Sequence, residues 1–329
     1  MKTIMKIEIA FLVLVLLVAA GMVLASEGGM NLFYEPVIVE REIPPIPTEA
    51  PTPMPEVTEP VEAETPEKDS RDITAAKYFA YDIRKGEYLK KRGDGDERLY
   101  PASITKLLTS YVVLQHMDPD DVVMVGDALN LVQEGSSLAD LKEGDKLTVE
   151  KLIAGMLLPS GNDAAQTVAV AVGRGIAGDS SLHYEKAVEV FVDEMNHQAQ
   201  LLGMTNSHFA NPDGFHHEDH YTTMDDLVVL CETVLADQTI LKYTSQVTHG
   251  VSMPGRSLQW ENTNILLHSD EDVYMPNAIG LKTGYTGKAG NCLISTFFME
   301  DRLLLIGVFG CPAYTDDQYY DTLAIYNSI

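Results

Sequence analysis

Ser103 and Lys106 stand three residues apart, a spacing that puts both side chains on one face of a helix. A serine hydroxyl is a weak nucleophile at neutral pH and needs an adjacent base. A lysine amine can be that base when burial or neighbouring positive charge keeps it neutral. Pro101 and Ala102 place the serine at or near the helix N-terminus, where the helix dipole favours a developing oxyanion. The pair predicts nucleophilic acyl transfer; a capping serine beside a solvated lysine is the alternative.

A second motif, Ser160-Gly161-Asn162, follows a proline and precedes a helix of small residues. A turn that carries one hydroxyl and one amide can relay a proton through Ser160 and hydrogen-bond a substrate amide through Asn162. An ordinary helix cap is the alternative interpretation of these residues.

The third motif, Lys282-Thr283-Gly284, stands at the end of a predicted strand and is followed by Tyr285. A strand edge with an amine and a hydroxyl can take an extended peptide as an extra strand and hold its carboxylate. The glycine lets a ligand backbone come close. An ordinary turn is the alternative.

The elements that must position these motifs follow from hydrophobic periodicity and turn signals. Strands are expected near both ends of the folded region and helices between them, which predicts an α+β fold. Its antiparallel sheet is built from both ends of the domain and flanked by helices, with a helical subdomain inserted. The predicted strands are 75–81, 87–91, 278–283, 291–299 and 302–309, and the predicted helices are 102–117, 147–158, 164–172, 184–202, 223–235 and 316–327.

Composition excludes several classes of protein. The 329 residues carry 49 acidic against 23 basic side chains, a formal charge of −26, which argues against binding to nucleic acid. Cys231, Cys292 and Cys311 are too few for a disulfide framework and show no CxxC spacing, so they are expected to be buried small residues. The histidine-rich segment 216–220 does not read HExxH and is expected to be solvated or structural rather than a metal site.

The first quarter of the chain predicts export and tethering rather than folding. Residues 1–25 join two lysines to an apolar run, the pattern of a signal sequence or an N-terminal membrane anchor. Residues 26–72 contain nine of the sixteen prolines and twelve acidic residues, which predicts a disordered Pro/Glu-rich stalk. The folded domain is expected over residues 73–329, outside the cytoplasm. It is expected to be anchored to the cell membrane by the N-terminal segment, or secreted to the cell wall if that segment is cleaved.

Taken in order, the three motifs match the set found in β-lactamases and penicillin-binding proteins. Their surroundings resemble the low-molecular-weight penicillin-binding proteins, the serine D-alanyl-D-alanine carboxypeptidases. The resemblance covers about residues 73–329 and implies a β-lactamase/transpeptidase-like fold. It rests on PASITK at 101–106, LPSGNDA at 158–164, FANPDGF at 209–215 followed by HYTT at 220–223, and GLKTGYT at 280–286.

The resemblance implies a role for each motif residue. Ser103 is the nucleophile that becomes acylated by a peptidoglycan stem peptide, Lys106 accepts its proton, and Ser160 relays a proton to the leaving D-Ala. Asn162, Lys282, Thr283, Gly284 and Tyr285 bind substrate, and the backbone N–H groups of Ser103 and Tyr285 form the oxyanion hole. β-Lactams are expected inhibitors, and no metal or organic cofactor is needed.

Some alternatives stay open at this point. A β-lactamase shares the serine and lysine, and a non-catalytic wall-binding or sensing protein could share the fold. The motifs do not separate carboxypeptidase, endopeptidase and transpeptidase action, nor growth from sporulation. Only about 45 residues follow the third motif, so the second domain and C-terminal amphipathic helix of many family members are expected to be missing.

Overall fold

The computed structural model describes residues 72–299 and 302–329. The predicted targeting segment, 1–25, and all but the last residue of the predicted stalk, 26–72, lie outside the described residues. Within the described ranges, no helix combines the length and the apolar character needed to cross a bilayer.

The described chain forms short strands and helices whose bounds follow. In chain order they are β1 (Lys77–Asp82), β2 (Glu87–Arg92), α1 (Thr105–His116), β3 (Val122–Met124), β4 (Lys146–Thr148), α2 (Val149–Leu157), α3 (Asn162–Ala177), α4 (Tyr184–Leu202), α5 (Met224–Leu235), α6 (Gln238–Thr244), β5 (Thr248–Met253), β6 (Arg256–Glu261), β7 (Ala278–Thr286), β8 (Gly290–Phe298), β9 (Leu303–Cys311) and α7 (Asp317–Tyr326).

A five-stranded antiparallel sheet joins the two ends of the described chain, in the order β2-β1-β9-β8-β7. Strand β1 pairs with β9 far along the chain, with Phe79 opposite Gly307. Strand β9 is buried along nearly its whole length and β8 is buried from Cys292 to Phe297, which fits their largely apolar sequences. The predicted α+β fold, with one sheet built from both termini, is therefore confirmed.

The helices between β2 and β7 pack around a continuous apolar core. On α4 the buried residues are Ala187, Phe191, Met195 and Ala199, spaced by four so that they form one stripe. Helix α1 is different, because every residue from Thr105 to Val113 except Tyr111 is buried. Such a helix lies inside the domain, which shields its polar side chains from water.

Several element predictions need correction. Strand β7 runs to Thr286, three residues past its predicted end, because pairing with β8 continues to Thr286 opposite Gly290. The third motif therefore lies inside an edge strand rather than at its end. The β5–β6 hairpin, α6 and the short β3–β4 pair were not predicted. In the hairpin each strand has a single buried residue, Val251 and Trp260, so the hydrophobic alternation is weak.

The three cysteines agree with their prediction, because all are free and buried. Burial raises the pKa of the Cys292 thiol to about 12, so it stays protonated and unreactive at neutral pH.

Candidate active site

The side chains of Ser103 and Lys106 meet at the start of α1. Residues 102–104 form a 3₁₀ turn that leads into the helix, as the position of Pro101 predicted. Lys106 Nζ lies 2.8 Å from Ser103 Oγ and is completely buried. The amine also donates to Asn162 Oδ1 at 2.8 Å and to the Asp213 carbonyl at 2.7 Å. Asn162 Oδ1 and the Asp213 carbonyl therefore hold the amine against the hydroxyl.

The turn that carries Ser103 is held by contacts from two other segments. Ala102 has a φ of +49°, a left-handed conformation that is uncommon for a residue with a Cβ. A Cβ on Gly214 would lie 1.9 Å from the Ala102 carbonyl oxygen, and one on Gly284 would lie 3.0 Å from Ser103 N. Both glycines are needed because the backbone of the turn lies directly against them.

A buried histidine also braces the turn. The Thr105 hydroxyl donates to the Ala102 carbonyl at 2.8 Å and lies 2.8 Å from His220 Nε2. The other ring nitrogen, Nδ1, accepts from Ala210 N at 3.1 Å. This assigns the proton to Nε2, and burial, with neighbouring positive charges, lowers the pKa of His220 to about 3. His220 is therefore a neutral link between the 209–220 loop and the serine turn.

The second motif contacts the Lys106 amine through Asn162. Ser160 has a φ of +62°, again left-handed, and is buried beside the start of α3. Asn162 accepts from Lys106 through Oδ1, and its Nδ2 donates to Ser136 Oγ at 3.0 Å. Its backbone N–H donates to the Ser137 carbonyl at 2.8 Å, so the 134–137 loop is attached to the motif.

The third motif faces the serine turn from edge strand β7. Lys282 is buried, and its Nζ lies 3.1 Å from the Thr283 carbonyl and 3.5 Å from Thr283 Oγ1. The Thr283 hydroxyl hydrogen-bonds that of Thr263. The Thr263 carbonyl in turn accepts from the Tyr319 hydroxyl at 2.6 Å. Helix α7 thus supports the hydroxyl of the motif.

Burial lowers the pKa of both lysines. The pKa of Lys106 falls from 10.5 to about 8, a shift that the carboxylates of Asp213 and Asp163 oppose. The pKa of Lys282 lies well below 10.5, first because it is buried and then because of the positive charge of Lys106. About a tenth of the Lys106 amine is therefore neutral at pH 7, compared with far less for a lysine of ordinary pKa, and the neutral form is the one that can act as a base.

These residues surround a cleft of about 490 Å³. Ser103, Ser160, Asn162, Thr283, Gly284 and Tyr285 all line it. Lys106 and Lys282 lie beneath that lining, and Tyr285 is 42% exposed. The predicted site residues are thus brought together from the serine turn, α1, the start of α3 and β7.

Some residues of the site were not predicted. Ser136, Thr263 and the Asp213 carbonyl contact motif residues, but they carry no recognisable spacing relative to them. Asp213 lies in the FANPDGF stretch and His220 begins the HYTT stretch, and the resemblance of both stretches to the family pointed to this loop. Among the described residues, no three His, Cys, Asp or Glu side chains are grouped so that they could hold a metal ion.

The site geometry can be compared with known proteins. A family model described as D-alanyl-D-alanine carboxypeptidase, peptidase family S11, matches residues 62–312 of the chain. The chain belongs to this carboxypeptidase family. Among curated relatives, D-alanyl-D-alanine carboxypeptidase DacF of Bacillus subtilis is 31% identical over 221 residues, which are 66% of this chain and 52% of the relative. DacD of Escherichia coli is 32% identical over 256 residues, 74% of this chain and 60% of the relative.

The matched region spans about half of the length of DacF and about three fifths of the length of DacD. Among solved structures, the Streptomyces K15 DD-transpeptidase superposes with a TM-score of 0.70 at 28% identity, over 78% of this chain and 97% of that one. Penicillin-binding protein D2 of Listeria monocytogenes, in its cefotaxime-bound form, has a TM-score of 0.64 at 25% identity, over 78% of this chain and 97% of its own.

Proposed function

We propose that this chain is a serine D-Ala-D-Ala carboxypeptidase that removes the terminal D-Ala from peptidoglycan stem pentapeptides. The observation that carries the proposal is the buried Lys106 amine, with a pKa of about 8, held 2.8 Å from the Ser103 hydroxyl. Membership of the carboxypeptidase family supports the choice of substrate.

Acylation begins with attack of Ser103 Oγ on the carbonyl carbon of the penultimate D-Ala. The neutral Lys106 amine takes the hydroxyl proton as the new C–O bond forms. Backbone N–H groups of Ser103 and Tyr285 stabilise the resulting oxyanion, an interaction typically worth about 3 kcal/mol in the transition state. The closeness of Gly284 to Ser103 N supports this pairing, since it draws β7 up to the serine turn.

The tetrahedral intermediate collapses when the C–N bond to the terminal D-Ala breaks. The leaving amine takes a proton that passes from Lys106 through the Ser160 hydroxyl. Asn162 holds the lysine and hydrogen-bonds the substrate amide. Water then attacks the ester carbonyl carbon and gives a proton to Lys106. The C–O bond to Ser103 breaks, Lys106 returns the proton to the Ser103 oxygen, and the shortened peptide leaves.

Substrate binding uses the edge of β7. The extended peptide adds to Gly284 and Tyr285 as a further strand, and Lys282 and Thr283 hold its terminal carboxylate. Burial makes the lysine charge costly in the free protein, and an anion beside it offsets that cost. β-Lactams imitate the D-Ala-D-Ala end and leave the acyl-enzyme on Ser103 stalled.

The decisive experiment measures release of D-Ala from a synthetic pentapeptide by the full chain, together with labelling by a fluorescent penicillin. Stoichiometric release and a long-lived label on Ser103 are expected. Rapid loss of the label with penicillin hydrolysis favours a β-lactamase, and neither label nor product favours a wall-binding or sensing protein. Peptide dimers as product would mean transpeptidation, and cleavage of existing cross-links would mean endopeptidase action.

We further propose that the enzyme works outside the cytoplasm, tethered by residues 1–25 through the stalk 26–72 to a catalytic domain at 73–329. The apolar run and the proline content support this arrangement. Cell fractionation of the full chain should find the penicillin label with the membrane. Label in the culture medium would mean cleavage after residue 25, and label in the cytoplasm would contradict the proposal.

A further inference from the structure

Helix α3 reaches the Lys106 amine by a second route besides Asn162. Gln166 stands four residues after Asn162 and therefore lies on the same face of the helix. Its Nε2 donates to Asp213 Oδ2 at 2.8 Å. The Asp213 carbonyl in turn accepts from Lys106 Nζ at 2.7 Å. The helix thus contacts the amine directly through Asn162 and indirectly through Gln166 and Asp213.

The contact between Gln166 and Asp213 is enclosed by the protein. The two residues are only 5% and 2% exposed. Asp213 Oδ1 accepts from Phe215 N at 2.8 Å, so each oxygen of the carboxylate has one donor. Within the described chain, Gln166 Oε1 is buried and has no hydrogen-bond partner, which is unfavourable. The glutamine therefore leaves one of its own atoms unpaired while it holds the carboxylate.

Four charged or titratable side chains face the amine, and Asp213 is one of them. Burial lowers the pKa of Lys106 to about 8, and the carboxylates of Asp213 and Asp163 oppose that fall, Asp213 more strongly. Lys282 adds a positive charge, and His220 is neutral because burial lowers its pKa to about 3. A carboxylate beside an ammonium group favours the protonated amine. Of the two carboxylates, Asp213 is the one that also contacts the amine through its carbonyl.

We propose that Gln166 and Asp213 are a positioning pair for Lys106. Gln166 fixes Asp213, and Asp213 places a carbonyl oxygen and a negative charge against the amine. The pair thereby sets how readily the amine takes the proton of Ser103 and returns it. The inference rests on the proposed function, because it concerns the base of that reaction.

Asp213→Asn removes the charge and can keep the contacts. The new Oδ1 can still accept from Phe215 N, and the new Nδ2 can donate to Gln166 Oε1, the acceptor that is unpaired in the wild type. The rate of acylation should then rise through a midpoint about one pH unit lower than in the wild type. Its alkaline plateau should fall, because a weaker base accepts a proton less readily.

Gln166→Met keeps the charge and removes the donor, so it tests the pair independently if Asp213→Asn does not fold. The Asp213 carbonyl is then held less firmly, and kcat/KM should fall about fivefold at the alkaline plateau. Thr167→Val is the matched control on the same helix. Thr167 is buried and its hydroxyl donates to the Asp163 carbonyl at 2.7 Å, so the control also loses a buried hydrogen bond but leaves the pair intact.

Exchanging the two side chains should restore the charge. In the double variant Gln166→Glu/Asp213→Asn the carboxylate moves to α3 and accepts a hydrogen bond from the new amide. A negative charge again lies near the amine, so the midpoint should move back by at least about half of the shift caused by Asp213→Asn. A residue with a merely structural role would not show this recovery.

The experiment follows the titration of Lys106 in the full chain in two ways. One is the pH dependence of acylation by a fluorescent penicillin. The other is the carbon-13 signal of the Lys106 Cε in lysine-labelled protein, assigned by its loss in Lys106→Met. Both midpoints should fall in Asp213→Asn, recover in the double variant and stay unchanged in Thr167→Val.

The carbon-13 titration separates this inference from the proposed function. If the chain releases no D-Ala and is not acylated, but the carbon-13 midpoint moves as expected, the proposed function fails and the role of the pair stands. A midpoint that is unchanged by Asp213→Asn, or lowered to the same extent in the double variant, would overturn the role of Asp213. A plateau value of kcat/KM that is unchanged by Gln166→Met, or equally reduced by Thr167→Val, would overturn the role of Gln166.

Discussion

Lys106 and Lys282 are both completely buried, yet the two regions that hold them differ. Lys106, on α1, donates to Ser103, Asn162 and the Asp213 carbonyl. Within the described chain, the hydrogen bonds of Lys282 Nζ go to its neighbour Thr283 alone, at 3.1 and 3.5 Å. The first amine has its full set of three acceptors, and the second has donor capacity left.

This difference shows how two buried lysines can be suited to two functions, proton transfer and carboxylate binding. A fixed, saturated amine with a pKa of about 8 is suited to exchange a proton with one hydroxyl. A buried ammonium group with an unused donor raises the free energy of the protein until an anion binds beside it. Such a group is suited to the binding of a carboxylate. In the proposed mechanism the helix supplies proton transfer and the strand supplies recognition, so substitutions in the two regions should have different kinetic effects.

The largest effect is expected from Lys106→Met, which keeps the volume and removes the base. Acylation by a fluorescent penicillin and D-Ala release should both fall by about 10³- to 10⁴-fold, mainly in kcat. Thermal unfolding should show that the protein is still folded. Acylation at the wild-type rate would remove the distinction between the two lysines.

Lys282→Met should act on binding instead. We expect kcat/KM for a pentapeptide to fall by about 300-fold, carried chiefly by KM, because a buried charge partner of the carboxylate is lost. For a pentapeptide that ends in an amide, kcat/KM of the wild type should already be low, and Lys282→Met should lower it little further. A loss confined to kcat, equal for acid and amide, would assign Lys282 to the chemistry.

The contact between the two regions can be altered by Gly284→Ala. The added Cβ would lie 3.0 Å from both the Pro101 carbonyl oxygen and Ser103 N, so the strand and the serine turn must separate. A shift of this kind costs about 100-fold in acylation rate. Gly287→Ala is the matched control in the same hairpin, because its Cβ meets no atom within 4 Å, and it should stay within about twofold. Similar losses for both variants would point to general strain in β7.

A pH profile tests the base directly. In the proposed mechanism the neutral amine is the reactive form, so the acylation rate should be low at acidic pH and rise through a midpoint near 8. From pH 7 to the alkaline plateau the rise should be about tenfold. Rates of penicillin acylation should be measured where the thermal unfolding midpoint is constant. A midpoint near 6.5 would instead indicate a histidine as the base. That histidine would not be His220, because burial lowers the pKa of His220 to about 3.

The smallest effect is expected at the loop that supports Asn162. Ser136→Ala removes the acceptor of Asn162 Nδ2, a hydrogen bond worth about 1 kcal/mol, so kcat/KM should fall about fivefold. Ser137→Ala serves as the comparison, because its contact with Asn162 is made by the backbone carbonyl, which alanine keeps. Equal effects of the two substitutions would mean that the Ser136 hydroxyl does not position the amide.

Much of the fold follows from local signals. The stripe of α4 predicted its bounds at Tyr184 and Leu202, and Pro101 with Ala102 predicted that Ser103 lies near a helix N-terminus. Weakly patterned elements were missed, such as the hairpin that buries Val251 and Trp260. The predicted end of β7, at residue 283, was wrong. Gly284 suggests a break in the strand, but the pairing of β7 with β8 continues past it to Thr286.

The sequence by itself determined the composition of the site, since Ser103 and Lys106 share a helical face through their spacing alone. Only the tertiary structure decided what those side chains can do. The pKa of Lys106 depends on burial and on the carboxylates of Asp213 and Asp163. The position of its amine depends on Asn162, 56 positions away along the chain, and the approach of Gly284 to the serine turn depends on sheet register. Spacing is a local property of the chain, whereas desolvation and contact between distant segments exist only once the domain has packed.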